Sequence, residues 1–310
     1  MHRKDRIDTF GAVALTGFAL MLGFNQVVIK VTNGGLQPVF FAGVRSAGAV
    51  LCLGLWLWVR GIPLEFPRGT RLAGLATGLL FSGEFIGLFI ALDLTTVARA
   101  SVMFYSMPVW LTLGAHFLLP GDAITRRKAI GLALALGGVA WAMLARGGAA
   151  GSLAGDLAAL AAAMSWAAMG LVVRASRLKE VRPESQLFWQ VLVSAPILLA
   201  VSPLFGDLLR DPGWIHLAGL LFQIVVVVSA GFLFWLWLLS IYPASGVASF
   251  SFLSPVFGVG LGWLLLGEQV SPTLIAALGL VAVGIVLINR PAQVPQKVRV
   301  TRSSSAGGRL

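Results

Sequence analysis

Apolar runs of about twenty residues recur along almost the whole chain, separated by short polar or basic stretches. Ten can be marked, at residues 10–31, 38–59, 72–92, 97–119, 129–145, 154–174, 185–205, 213–239, 244–266 and 271–289. A helix rises 1.5 Å per residue, so about twenty residues cross a hydrocarbon core ~30 Å thick. The pattern therefore predicts an all-α integral membrane protein with ten transmembrane helices, leaving no room for a soluble domain. The first run has no A-x-A-type cleavage site and carries Asn25, Gln26 and Lys30, so it reads as a retained span and not a removed signal peptide.

Composition agrees with the periodicity. Hydrophobic residues make up 58% of the 310 positions and charged ones 11%, less than half the roughly 25% of a soluble domain. The mean hydropathy is +0.90. A net charge of +11 would point to nucleic acid if the cations formed one patch. They fall instead in short clusters between apolar runs, so no nucleic-acid partner is expected and the lipid bilayer is. Clusters of three, three, three, four and five Lys and Arg, in residues 3–6, 60–71, 126–128, 174–182 and 290–309, lie on one side of the ten-span topology. Such a bias places both termini in the cytoplasm of a multi-pass plasma-membrane protein. Cys52 is the single cysteine, which rules out an intramolecular disulfide. No cofactor or metal site is expected.

The two halves of the chain resemble each other. Pro38 before span two matches Pro183 before span seven, and Lys30 late in span one matches Arg174 late in span six. The stretch from Ala98 to Val109, with Ser106-Met107-Pro108, matches the stretch from Ser245 to Val256, with Leu253-Ser254-Pro255. Each then leads to an acidic turn, Gly121-Asp122 in the first half and Gly267-Glu268 in the second. Four matches in order at nearly one offset, 144 to 147 residues, indicate an internal repeat. Five spans per repeat is an odd number, so the second repeat is inverted in the membrane. That is the plan of secondary transporters, whose substrate sites lie near the midplane between repeats. The expected organisation is a first repeat at 1–147, a second at 148–290 and a basic, disordered cytoplasmic tail at 291–310.

At these residues the chain resembles the EamA-type repeats of the drug/metabolite transporter superfamily. The resemblance rests on Phe24-Asn25-Gln26-Val27-Val28-Ile29-Lys30, Arg45, Ser106-Met107-Pro108-Val109, Leu253-Ser254-Pro255-Val256 and Leu265-Leu266-Gly267-Glu268. It covers nearly the whole chain. It departs from the family pattern where span one has Leu22 opposite Trp166 of span six, and where Gln190 stands opposite Arg45. The resemblance implies a secondary transporter in a bacterial inner membrane, exporting amino acids, aromatic or otherwise apolar, or related metabolites by alternating access. Export of drugs or other organic cations is the alternative within the superfamily.

Polar groups at bilayer depth are costly and so are candidate functional residues. Glu84 lies midway along span three, and Thr77, Phe81 and Glu84 share one helical face. A carboxylate there would carry a coupled proton or hold a substrate ammonium, or else pair structurally with Arg45. Arg45 in span two would grip a substrate carboxylate or strut two helices. Lys30, nearer a span end, reads as snorkelling. Ser101, Tyr105, Pro108, Thr112 and His116 form a polar seam on span four, and Pro108 should kink that helix.

Eight tryptophans sit toward span ends and read as interfacial belts. Trp110 and Trp166 sit near midspan, where with Phe85 and Tyr105 they would form an aromatic box. The expected substrate site is thus Arg45, Thr77, Phe81, Glu84, Ser101, Tyr105, Trp110 and Trp166. Spans five and ten carry few deep polar groups, so they are expected at the periphery, where they could meet a second copy; the protein is expected as a monomer or a homodimer. Nothing resembling a nucleotide-binding G-x-x-x-x-G-K-[ST] loop is present. An intramembrane enzyme would need a nucleophile and base, but Ser106 and His116 lie ten residues apart on one helix, some ~15 Å. A channel would need a filter-like loop or carboxylate ring, and none can be identified.

Overall fold

The computed structural model describes residue 4 and residues 7–145, 151–243, 247, 250 and 252–289. The repeat junction near residue 147, Ser245 and Ser249 of span nine, and the tail after residue 290 lie outside them. The described residues are all-helical apart from one isolated bridge between Leu36 and Leu209. The helices are α1 (Thr9–Asn33), α2 (Pro38–Val59), α3 (Arg71–Leu94), α4 (Val97–Phe104), α5 (Met107–Leu118), α6 (Arg126–Leu144) and α7 (Leu153–Ala175). They continue with α8 (Pro183–Val201), α9 (Trp214–Leu221), α10 (Phe232–Ile241), α11 (Leu253–Leu266) and α12 (Pro272–Asn289). Eight helical stretches among the described residues are long and apolar enough to cross a membrane, and α11 is a shorter apolar helix. The remaining span is the pair α4–α5.

Local chemistry sets the helix starts. Asp8 accepts from the Gly11 amide at 2.9 Å ahead of α1. Gln37 accepts from Phe40 at 2.5 Å ahead of α2, whose first residue is Pro38. Thr96 accepts from Arg99 at 3.1 Å ahead of α4. These are amides that no intrahelical carbonyl can satisfy. Span four breaks where a kink was expected. Pro108 has no N–H to offer the Phe104 carbonyl, so the helix stops at Phe104 and restarts at Met107. The Ser106 hydroxyl in the gap donates to the Met103 carbonyl at 2.6 Å and accepts from Trp110 Nε1 at 3.0 Å. Span eight differs from its counterpart α3. A π-helical segment, Phe222–Gly231, joins α9 to α10, and Ser229 donates to the Ile224 carbonyl five residues back at 2.7 Å.

The packing follows a two-fold exchange of the repeats. Spans two and seven (α2, α8), four and nine (α4, α11) and five and ten (α6, α12) pair across the halves. The α3–α7 contact is mirrored by α1 against α9 and the π segment; α5 and α4 against α7 are mirrored by α1 against α11. One consequence differs from two halves that each hold together. Span six (α7) packs with α3, α4 and α5 of the first half, and span one (α1) packs with α9, α10 and α11 of the second. Each half leaves a face that its own first helix does not cover, and the other half's first helix covers it.

The α6–α12 pair packs backbone to backbone. Gly131 and Gly284 approach each other's backbone so closely that a methyl on either would meet a carbonyl oxygen within 3 Å, and Gly138 likewise meets Ala277. These glycines serve close packing inside the chain. In span nine Gly258 lies against Ser101, and Gly262 against Val97 and Glu268.

Candidate functional site

A cavity of about 310 Å³ opens between the two groups of helices. Its depth is set by Arg45 of α2, Phe81, Glu84, Phe85 and Leu88 of α3, Gln190 of α8 and Gln26 of α1. Toward the end where α1 begins and α12 finishes, the termini end, it is bounded by Leu15 and Phe18 of α1, Trp235 of α10 and Ile285 of α12. Trp166, Met169, Phe104 and Tyr105 line the opposite wall. Most of the lining is apolar, with a few convergent polar groups, as small-molecule sites are built.

Arg45 and Glu84 are 1% and 5% exposed. The guanidinium lies 3.7 Å from the centre of the Phe85 ring and 5.2 Å from that of Phe89. Its Nε and Nη2, and Oε2 of Glu84, have no hydrogen-bond partner. The two charges act on each other through space, but no ion pair joins them. A buried charge that is neither paired nor hydrogen-bonded is expensive, and these atoms carry that cost on the cavity wall. Gln26 joins them: its Oε1 accepts from Ser101 at 2.6 Å, while its Nε2 is buried and unpartnered.

Of the residues singled out from sequence, Arg45, Phe81, Glu84, Tyr105 and Trp166 line the cavity. Trp166 stacks on Phe104, centroids 5.1 Å apart and planes 18° from parallel. The Tyr105 ring lies edge-on to that of Phe104, centroids 5.3 Å apart. Thr77, Ser101 and Trp110 lie behind the wall. Thr77 donates to the Gly74 carbonyl at 2.9 Å, Ser101 supports Gln26, and Trp110 reaches back to Ser106. Thr112 donates to the Pro108 carbonyl at 2.7 Å, which removes it from the polar seam. Trp235, assigned to a belt by its position, stacks on Phe18 at 4.9 Å and lines the cavity. Trp189, also near a span end, packs on Phe66 at 4.7 Å. Trp58, Trp214 and Trp263 face outward, 62–87% exposed.

Gln26, Gln190 and Ser254 were missed as lining residues. Gln190 had a signal, since it stands opposite Arg45 in the repeat, and the structure places both on the cavity. Gln26 sat beside Asn25 in span one and only its depth distinguished it. Asn25 also borders the cavity, and its Oδ1 accepts from Gln223 of the π segment.

The end away from the termini is sealed. Asn33 donates to the Phe89 carbonyl at 2.8 Å and Arg210 to Asp93 at 2.7 Å. Lys30 donates to the carbonyls of Leu92 and Thr95 at 3.0 and 2.7 Å, so it caps the end of α3 and does not snorkel. Glu268 accepts from the amides of Val97 and Ala98 at 2.7 and 3.0 Å. Arg99 and Asp156, 0% exposed, form a buried ion pair at 2.5 Å between α4 and α7. At the termini end, Asp8 bonds Lys4 and the buried Tyr242 within the α1–α10 group. Lys4, Tyr242 and the Gly11 amide hold its carboxyl well below the usual carboxylate range. Among the described residues, no hydrogen bond or ion pair joins the α1 group to the α7 group at the termini end.

A family model described as "EamA-like transporter family" matches residues 9–144 and again 153–290. The chain belongs to this family. The double match coincides with the two repeats, which makes the protein a transmembrane transporter of two five-helix units in opposite orientation. Among similar proteins is the "Uncharacterized transporter YoaV" of Bacillus subtilis, 26% identical over 89% of this chain and 94% of that protein. Another, from Salmonella typhimurium, is named "Probable amino-acid metabolite efflux pump"; it is 28% identical over 92% of this chain and 94% of its own length. A solved crystal structure aligns with a TM-score of 0.64 at 21% identity, covering 88% of this chain and 95% of that one; it supports the fold.

Proposed function

We propose that the protein exports a zwitterionic, amphipathic metabolite, an aromatic or branched amino acid or a close relative, by alternating access. The observation that carries this reading is the pair Arg45 and Glu84: both buried, neither paired, both lining one apolar cavity. A substrate carboxylate would take the Arg45 fork with help from Gln26 Nε2, its ammonium would take Glu84, and its side chain would lie among Phe81, Tyr105, Phe104 and Trp166. A group of opposite charge on one small molecule satisfies atoms that the protein leaves unsatisfied. Export is supported by the name of the Salmonella relative, and by a cavity that would load from the cytoplasm if the cation bias places both termini there. The chain would then divide into repeats at 1–147 and 148–290, with a basic cytoplasmic tail at 291–310, in a cell inner membrane.

Alternating access would rock the α3–α4–α5–α7 group against the α1–α9–α10–α11 group, with α2–α8 and α6–α12 as flanks. The cavity divides these groups at one end and the polar contacts fasten them at the other. The experiment is equilibrium binding to purified protein of three matched ligands: an amino acid, its amine lacking the carboxylate, and its acid lacking the ammonium. The reading expects the amino acid to bind best and each truncation to weaken binding about tenfold or more. An amine that binds as well as the amino acid would instead favour an exporter of organic cations, held by Glu84 and the aromatic rings.

A further inference from the structure

At the sealed end, two charges are spent on one corner of the chain, the turn from α3 to α4. The last carbonyls of α3 and the first amides of α4 have no intrahelical partners. Lys30 supplies the cation for the carbonyls of Leu92 and Thr95, and Glu268 the carboxylate for the amides of Val97 and Ala98. Each charge matches the sign that the helix dipole presents at its terminus. Both come from the α1–α11 side and hold the α3–α4 side, so the corner cannot move away until both let go.

The repeat supplies a second view of these residues. Lys30 corresponds to Arg174 and Glu268 to Asp122. At the other end of the molecule, where the cavity opens, these counterparts meet each other. Arg174 and Asp122 pair with each other at 2.7 Å, 49% and 31% exposed. The same cation and anion are thus parted onto helix ends where the protein is closed and joined where it is open.

We propose that Lys30 and Glu268 form an exchangeable latch: when the sealed end opens they release the α3–α4 corner and pair with one another, as Arg174 and Asp122 do at the open end. The exchange keeps both charges compensated in either state, so neither state leaves a buried orphan. The latch rests on the reading of the protein as an alternating-access carrier. Its test needs no substrate, so a failed latch and a failed substrate assignment give separate results.

The test is a charge swap, Lys30→Glu with Glu268→Lys. It preserves the mutual pair but sets a cation against helix amides and an anion against carbonyls, so it penalises only the sealed state. Access is read from a reporter, Leu22→Cys, on the α1 wall of the cavity, with Cys52→Ser as background. A membrane-impermeant thiol reagent is applied to one face of oriented vesicles at a time, the faces being defined by a C-terminal tag. The parent should label from the termini face. The swap should raise labelling from the opposite face, relative to the termini face, by about tenfold or more, the scale of losing a charge-assisted hydrogen bond. The matching swap Arg174→Asp with Asp122→Arg should label as the parent does. Should the swap fail to fold, Glu268→Asp is the substitute; it shortens the reach to the amides while the long Lys30 arm can still meet it, and opposite-face labelling should again rise. Labelling confined to the termini face in the folded latch variant would overturn the proposal, as would equal effects from both swaps.

Discussion

Replacing Arg45 by Met separates a binding role from a structural one. Met keeps an unbranched apolar stem against Phe85 and removes the guanidinium, whose Nε and Nη2 are buried without partners. If Arg45 grips a carboxylate through its fork, the variant loses charge-assisted bonds that exist only in the complex. Such bonds contribute about 1.5–3 kcal/mol each, and part of a bidentate grip is replaced by water entering the cavity. A net loss of about 2–3 kcal/mol follows, roughly thirty- to a hundred-and-fifty-fold in affinity. The matched amine has no carboxylate, so its affinity should be the same for parent and variant. Calorimetry of both ligands on both proteins closes a double-mutant cycle whose coupling isolates the carboxylate–Arg45 contact. Stability gives an independent check. Breaking a true buried ion pair costs about 3–5 kcal/mol because the remaining charge is orphaned. Arg45 and Glu84 are joined by no hydrogen bond or ion pair, so Arg45→Met should unfold in detergent near the parent's midpoint. A variant that binds the amino acid like the parent, or one that collapses as a broken ion pair would, refutes the reasoning.

Removing a ring from the apolar wall, by Tyr105→Leu or Trp166→Leu, should weaken binding by ~1–3 kcal/mol, the scale of burying a large apolar group. It should also shift preference away from aromatic side chains, as competition binding across several amino acids will show; folded variants with unchanged affinity and selectivity would return those rings to packing. Glu84→Gln should abolish transport driven by a pH gradient while sparing exchange if the carboxylate couples protons, and a parent-like response in proteoliposomes would confine Glu84 to binding. Reporter fusions after Gly206 and after the C-terminus should fall on opposite faces, the C-terminal one cytoplasmic; the same face for both would contradict the cation bias.

The membrane class and the repeat were legible because each has a period. Apolar runs of span length and matches at nearly one offset survive any detail of packing. The break at Tyr105–Ser106 was half legible: Pro108 announces a lost hydrogen bond, but only the structure shows the helix parting instead of bending. Side-chain depth along a span is legible too, which is why Arg45, Glu84 and Trp166 could be named. The azimuth of a residue on a helix that is apolar all round is not. Thr77 and Trp110 have the right depth yet bond a neighbouring turn of their own span, and Ser101 bonds Gln26, all behind the wall. Gln26 and Trp235 reach the cavity because of helix packing that no local pattern encodes. Lys30 looked like a snorkelling cation because its partners, the Leu92 and Thr95 carbonyls, lie sixty-odd residues away.

The central claim, that this cavity carries a zwitterion across the bilayer, is tested most directly by counterflow in proteoliposomes. Vesicles holding purified protein are loaded with an unlabelled branched or aromatic amino acid, diluted, and given a trace of the same labelled compound outside. The account predicts transient accumulation of label above equilibrium, competed by other apolar amino acids but not by their amines, and lost in Arg45→Met. Accumulation that persists in Arg45→Met, or that amines compete as well as amino acids do, would contradict it.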